Sequence, residues 1–248
     1  MKRGIFLSTF KFALSFLAFI LLFTLCTLGL GALFSAVWEK EAVRETDLPA
    51  ESLPCTVIDA GHGGEDGGAS DNGLTEKDLN LDLSLRLAAL YEVAGLPYRL
   101  TRDDDRLLYK EKVKGTLKTQ DLRARVDIAN EYKDALFVSL HMNRFPAESC
   151  KGLQVWYSPH HRQSRLLAEA IRASVQAHLQ PDNQRAVKEA GSSIFLLHRL
   201  ECPAVLVECG FLSNKQEASL LGDPSYRASL SAVLFSAILP SVTESERA

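Results

Sequence analysis

Three short apolar runs limit what this chain can fold into: TVIDA at 56–60, ALFVSL at 135–140 and AVLV at 204–207. Each is strand-length and mostly apolar, without strict alternation of polar and apolar residues. That is the pattern of a parallel strand covered by helices on both faces. The intervals between them carry helical periodicity. Segment 77–94 alternates leucine up to Leu87, which suggests a strand. Its length, the apolar set Leu79, Leu83, Leu87, Leu90, Tyr91 and Ala94, and Gly95 as a stop favour a helix instead. Thr119 is expected to cap a helix bearing Leu122, Val126 and Ala129, and 162–179 reads as amphipathic. Asn214 with Glu217 three residues on forms a capping box for 215–221. Asp223-Pro224 opens a final helix expected to end before Pro240. With further strands at 97–101 and 153–157, the expected fold is α/β, a central mostly parallel (mixed) sheet flanked by helices.

Residues 12–38 contain no charge and are rich in Leu and Phe. As a helix at ~1.5 Å per residue this stretch reaches about 40 Å, enough to cross a ~30 Å hydrocarbon core with tilt. Lys2, Arg3 and Lys11 precede it without an acid, so the chain beyond it is expected to lie outside the membrane. Small residues at Gly29, Gly31 and Ala32 leave a route to cleavage and export. The expected organisation is a membrane anchor or signal segment at 1–40, a polar juxtamembrane linker at 41–53, a globular domain at 54–242 and a tail at 243–248. The chain has 248 residues, 46% hydrophobic and 24% charged, which suits one domain with a real core and excludes disorder, collagen and coiled coil. Net charge is −3, and with the basic start set aside the remainder is more acidic still, so there is no footprint for nucleic acid. Five cysteines without a CxxC pair make neither a disulfide scaffold nor a zinc ribbon; Cys55, Cys150, Cys202 and Cys209 read as small apolar fillers.

The reactive side chains fall at strand ends. His62 lies two residues past TVIDA, His141 directly follows ALFVSL, and Glu208 directly follows AVLV. Ligand sites of open α/β sheets lie outside the carboxyl ends of strands. Two histidines with one carboxylate, leaving a position for water, are a common catalytic zinc set. The carboxylate could come from Asp59, Glu65, Asp66, Asp71, Glu76 or Asp78, and spacing does not choose. The loop GHGGEDGG after the first strand is neither a dinucleotide fingerprint nor a Walker loop; its glycines suit close approach of backbone to a metal or substrate. Cys209 beside Glu208 lacks the surroundings of an activated thiol. His160 and His161 read as solvated turn residues.

Four motifs carry a resemblance: VIDAGHGGEDGG at 57–68, the Leu-Thr-Glu-Lys-Asp run at 74–78, SLHMN at 139–143 and PAVLVECGFLSN at 203–214. In this order, across roughly 55–240, they resemble the zinc-dependent N-acetylmuramoyl-L-alanine amidases of the third amidase family. The resemblance implies one zinc ion held by His62, Glu76 and His141, with Glu208 as catalytic glutamate and Asn143 and Arg185 lining the substrate groove. It implies hydrolysis of the bond between N-acetylmuramic acid and L-alanine in peptidoglycan. A short chain with one N-terminal membrane segment and no wall-binding repeats is most similar to the spore-cortex, germination-specific members; 115–130 and KGLQVWYS at 151–158 support this more weakly. Ala60 departs from the proline of many members. The alternatives are a zinc peptidase or carboxypeptidase acting on stem peptides, and a catalytically silent wall-binding module. The sequence does not identify an activating lipoprotein or deacetylase partner.

Overall fold

A computed structural model describes residues 53–109, 116–132 and 134–243. Strands β1 (Thr56–Ala60), β4 (Tyr98–Leu100), β5 (Leu136–Asn143), β6 (Gln154–Tyr157), β7 (Lys188–Glu189) and β8 (Ala204–Phe211) form one sheet, and β2 (Ser70–Asp71) with β3 (Leu74–Thr75) a small hairpin. The sheet order is β4-β1-β5-β8-β6-β7. β4, β1, β5 and β8 run parallel; β6 lies antiparallel to β8, which makes the sheet mixed. The expected fold class holds for these residues.

Alternation along the strands divides the core into two faces. Ile58, Val138, Leu140, Val205 and Val207 pack with helices α1 (Glu76–Val93), α3 (Arg162–His178) and α6 (Pro224–Thr243). Val57, Phe137, Ala204 and Leu206 pack with α2 (Leu117–Asn130) and α4 (Phe195–Arg199). The leucine alternation of α1 resolves as a helix because Leu79, Leu83, Leu87 and Tyr91 are buried at four-residue spacing while Leu85 is exposed. Gly95 ends it at φ 66°, with Leu96 N–H donating to the Tyr91 carbonyl.

Several local expectations are corrected. Helix α2 begins after Thr116, not Thr119: the Thr116 hydroxyl accepts from Thr119 N–H at 3.2 Å. Helix α5 (Lys215–Gly222) is capped by the Asn214 side chain at Gln216 and Glu217 N–H, yet Glu217 does not reach back. Its carboxylate instead accepts from Phe211 and Gly152 N–H, at 2.8 and 2.9 Å, and ties two loops together. Helix α6 runs through Pro240 to Thr243, because burial of Ile238 and Val242 outweighs one lost backbone bond. Of the described cysteines, Cys209 is fully buried in the core and Cys202 is half-buried against it, whereas Cys55 and Cys150 are half-buried and not core fillers. The expected membrane segment lies outside the described residues, and among those no helix is long and apolar enough to cross a membrane.

Candidate metal centre and active site

The site forms where β1, β5 and the first turn of α1 meet. Past Ala60, β1 leaves the sheet after Gly61 N–H donates to the Leu140 carbonyl. His62 follows with φ 63°, a left-handed conformation uncommon for a residue with a Cβ. Gly61 is required by what lies beside it, since a Cβ there would fall on the His141 ring. Gly68, at φ 67°, is required twice: its conformation is left-handed, and a Cβ would sit 2.5 Å from Glu76 Oε2.

Glu76, at the amino end of α1, is the hub. Its Oε1 lies 2.9 Å from His141 Nδ1 and 3.2 Å from His62 Nε2, and accepts from Met142 N–H at 3.0 Å. Its Oε2 accepts from Ala69 N–H at 2.7 Å. Burial opposes the charge, but the two imidazoles outweigh it and hold the carboxyl far below its usual range. For His62 burial favours the neutral ring, while Glu76 and then Asp66 raise its pKa and prevail. Asp66 Oδ2 stands 2.9 Å from His62 Nδ1, close enough for charge pairing without hydrogen-bond alignment. The two rings meet edge to face, with centroids 5.0 Å apart. One ligand atom from each of His62, Glu76 and His141 lies within 4.8 Å of the others. With two imidazoles around one carboxylate oxygen, this is a donor set suited to a divalent metal of borderline softness.

Glu208 and His141 are register partners on β8 and β5. Both were expected just beyond their strands, yet both strands continue past them, to Phe211 and Asn143. The polar side chains end the apolar run, but the backbone ladder does not stop there. Glu208 Oε2 is buried and has no hydrogen-bond donor among the described residues. Burial pushes the Glu208 carboxyl up, and the charge of Glu76 adds to this against the opposing pull of His141 and His62.

Of the six candidate carboxylates, Glu76 is the one that meets both imidazoles. Asp59 is fully buried and faces Arg125, Thr101 and Ser139. Asp71 pairs with Arg144 at 3.1 Å, and Glu65 and Asp78 are exposed. Asn143 ends β5 as the register partner of Phe211, and the Arg185 guanidinium lies over the Phe211 ring at 4.6 Å, so both expected groove residues adjoin Phe211. His160 is exposed as expected, its ring tilted against that of His198 with centroids 5.6 Å apart. Asp66, another of the six candidates, instead lies beside Nδ1 of His62, a contact the loop sequence does not signal.

Residues 56–239 match the family described as N-acetylmuramoyl-L-alanine amidase. The chain belongs to that family. A germination-specific N-acetylmuramoyl-L-alanine amidase of Bacillus subtilis (strain 168) is 34% identical over 199 residues, spanning 78% of this chain and 83% of its own. Among solved structures, the CwlD amidase of Clostridioides difficile, in complex with the GerS lipoprotein, superimposes with a TM-score of 0.72 at 34% identity, covering 77% of this chain and 99% of that one. The amidase AmiC2 of Nostoc punctiforme gives 0.65 at 29% identity, with coverage of 77% and 97%. Membership in this amidase family agrees with the four motifs and with the order in which they occur.

Proposed function

We propose that this chain hydrolyses the amide bond between N-acetylmuramic acid and L-alanine of peptidoglycan, with one zinc ion held by His62, Glu76 and His141. The observation that carries the proposal is the convergence of these three side chains beside a half-buried glutamate, Glu208, whose buried Oε2 has no donor among the described residues. A polar oxygen left bare in the interior is costly unless a partner such as a water or substrate arrives, so the residues fit a metal–water site. Bound zinc would supply a Lewis acid for the amide carbonyl and a lowered pKa for the attacking water. Glu208, with its raised pKa, accepts the proton of that water and returns it to the departing amine of L-alanine. Glu76, held ionised by its imidazole and backbone donors, serves as ligand and not as base. Asn143 and Arg185 line the groove that receives the glycan and stem peptide.

The germination-specific relative supports a role in spore-cortex maturation. A complex of a structural neighbour with a lipoprotein supports a lipoprotein partner here as well. We further propose that 1–40 anchors the chain in the membrane or directs its export, that 41–53 is a linker, and that 54–242 works outside. The test is digestion of purified peptidoglycan by residues 41–248, with and without a chelator, and products resolved by mass spectrometry. Chelator-sensitive release of intact stem peptides beginning with L-alanine is expected. Cleavage within the stem peptide would make the enzyme a peptidase, and no cleavage a silent module.

A further inference from the structure

Two arginines, Arg102 and Arg125, are each 1% exposed, which is exceptional for a cation. Their donors converge on one stretch of backbone. Arg125 Nη1 donates to the Ala60 carbonyl at 2.8 Å, and Nη2 to the His62 carbonyl at 2.8 Å. Arg102 Nε donates to the Ala60 carbonyl at 2.9 Å. Its Nη2 reaches the carbonyls of Gly61, at 3.1 Å, and of Lys77, at 2.8 Å. The last pair matters most: one nitrogen bridges the neighbours of His62 and of Glu76, on two separate elements.

The two cations differ in how they are balanced. Arg125 is paired with Asp59 at 2.5 Å and Asp121 at 2.8 Å. The acceptors of Arg102 among the described residues are all main-chain carbonyls, those of Ala60, Gly61, Lys77 and Asp104. A buried guanidinium spent on carbonyls indicates that the carbonyls are what must be held. Two of them, those of Ala60 and Gly61, belong to the segment that leaves the sheet after Gly61 and places His62 in a left-handed conformation, and a third, that of Lys77, adjoins Glu76.

Resting on the metal reading above, we infer that Arg102 and Arg125 are positioning residues of the metal centre, fixing the backbone beside His62 and Glu76 and so setting the spacing of these two ligands before a metal arrives. The planar fork is essential, because each arginine addresses several acceptors in fixed directions. Lysine, a single point charge on a flexible stem, cannot.

The test is zinc affinity, measured by chelator competition on the full-length chain and its Arg102→Lys and Arg125→Lys variants, at temperatures where circular dichroism shows them folded. Each substitution is expected to weaken zinc binding about 10–100-fold, the range for partners that orient ligands. Excess zinc should restore kcat, with KM for peptidoglycan unchanged. Arg227→Lys is the structural control: it disturbs the ion pair with Asp82 between α6 and α1, away from the centre, and should lower Tm while leaving zinc affinity alone. If Arg125→Lys fails to fold, Arg102→Lys carries the test, since it leaves the Asp59–Arg125–Asp121 pairs in place. Lysine variants that bind zinc within about twofold of the parent overturn the inference. A parent that binds no zinc overturns the metal reading itself, whereas a zinc-binding parent that cuts a different bond leaves the positioning role standing.

Discussion

Glu208 and His141 stand side by side in the parallel register of β8 and β5, yet only His141 touches Glu76. Adjacent strands thus deliver, side by side, one imidazole that contacts Glu76 and one carboxylate whose Oε2 has no donor among the described residues. The division of labour predicts that Glu208→Gln keeps zinc and loses turnover by about 10²–10⁴-fold, the usual scale of general-base catalysis. Glu76→Gln should instead lose zinc and recover part of its activity with excess metal. Metal content and kcat measured on both variants check this; zinc lost from the Glu208 variant and kept by the Glu76 variant would exchange their roles.

His62→Ala and His141→Ala should each reduce bound zinc from about one per chain to a trace, because each removes one of three protein ligands. The apo protein should remain folded, since both faces of the sheet are packed independently of the site. Elemental analysis and circular dichroism decide both points, and cooperative unfolding on chelation would contradict the second.

Gly61→Ala should cost activity through His141 alone. The added methyl falls on the His141 ring, so the imidazole must move or the strand end must shift. Weaker zinc binding with little change in Tm is expected. A Tm drop with unaltered zinc affinity would place the strain in the backbone instead.

Acid stability should depend on Asp59. Burial disfavours its charge, but Arg125 and the Ser139 and Thr101 hydroxyls prevail and lower its folded pKa below the ordinary value. Above about pH 4 the group is ionised in both states and contributes fully. As pH falls from there toward the depressed folded value, the unfolded chain takes up the proton first and this stability is lost. Unfolding followed between pH 2 and 5 should therefore show stability rising with pH, by at most about 1.4 kcal/mol per unit from this group. Asp59→Asn should flatten the slope; an unchanged slope would assign it to other carboxylates.

Protease added to intact protoplasts should remove the domain beginning near residue 54 and spare an N-terminal fragment of about 40 residues, as expected for an outward-facing domain behind a charge-free span. Protection of the domain until lysis would reverse that topology. A soluble, shortened product would mean cleavage of the segment.

Much of this protein is legible along the chain because its signals are local. The apolar runs around Ile58, Val138 and Val205 specify parallel strands, and the four-residue spacing of Leu79, Leu83 and Leu87 specifies a helix beneath them. His62, His141 and Glu208 announce themselves as polar residues at or just past the ends of apolar runs, although β5 and β8 continue beyond the latter two. Other features needed coordinates. Six carboxylates were open as the third ligand, and Glu76 is chosen only because α1 begins where its carboxylate reaches both imidazoles. The hairpin β2–β3, the short β7 and helix α4 carry too few residues for a periodic signal. Arg102 and Arg125 look like surface charges in a polar stretch, and only the packing of their segments against β1 buries them. The physical reason is range: hydrophobic periodicity is written between residues a few positions apart, whereas the balance of a buried charge is set by groups as distant as Asp59 is from Arg125, 66 positions along the chain and 2.5 Å in space.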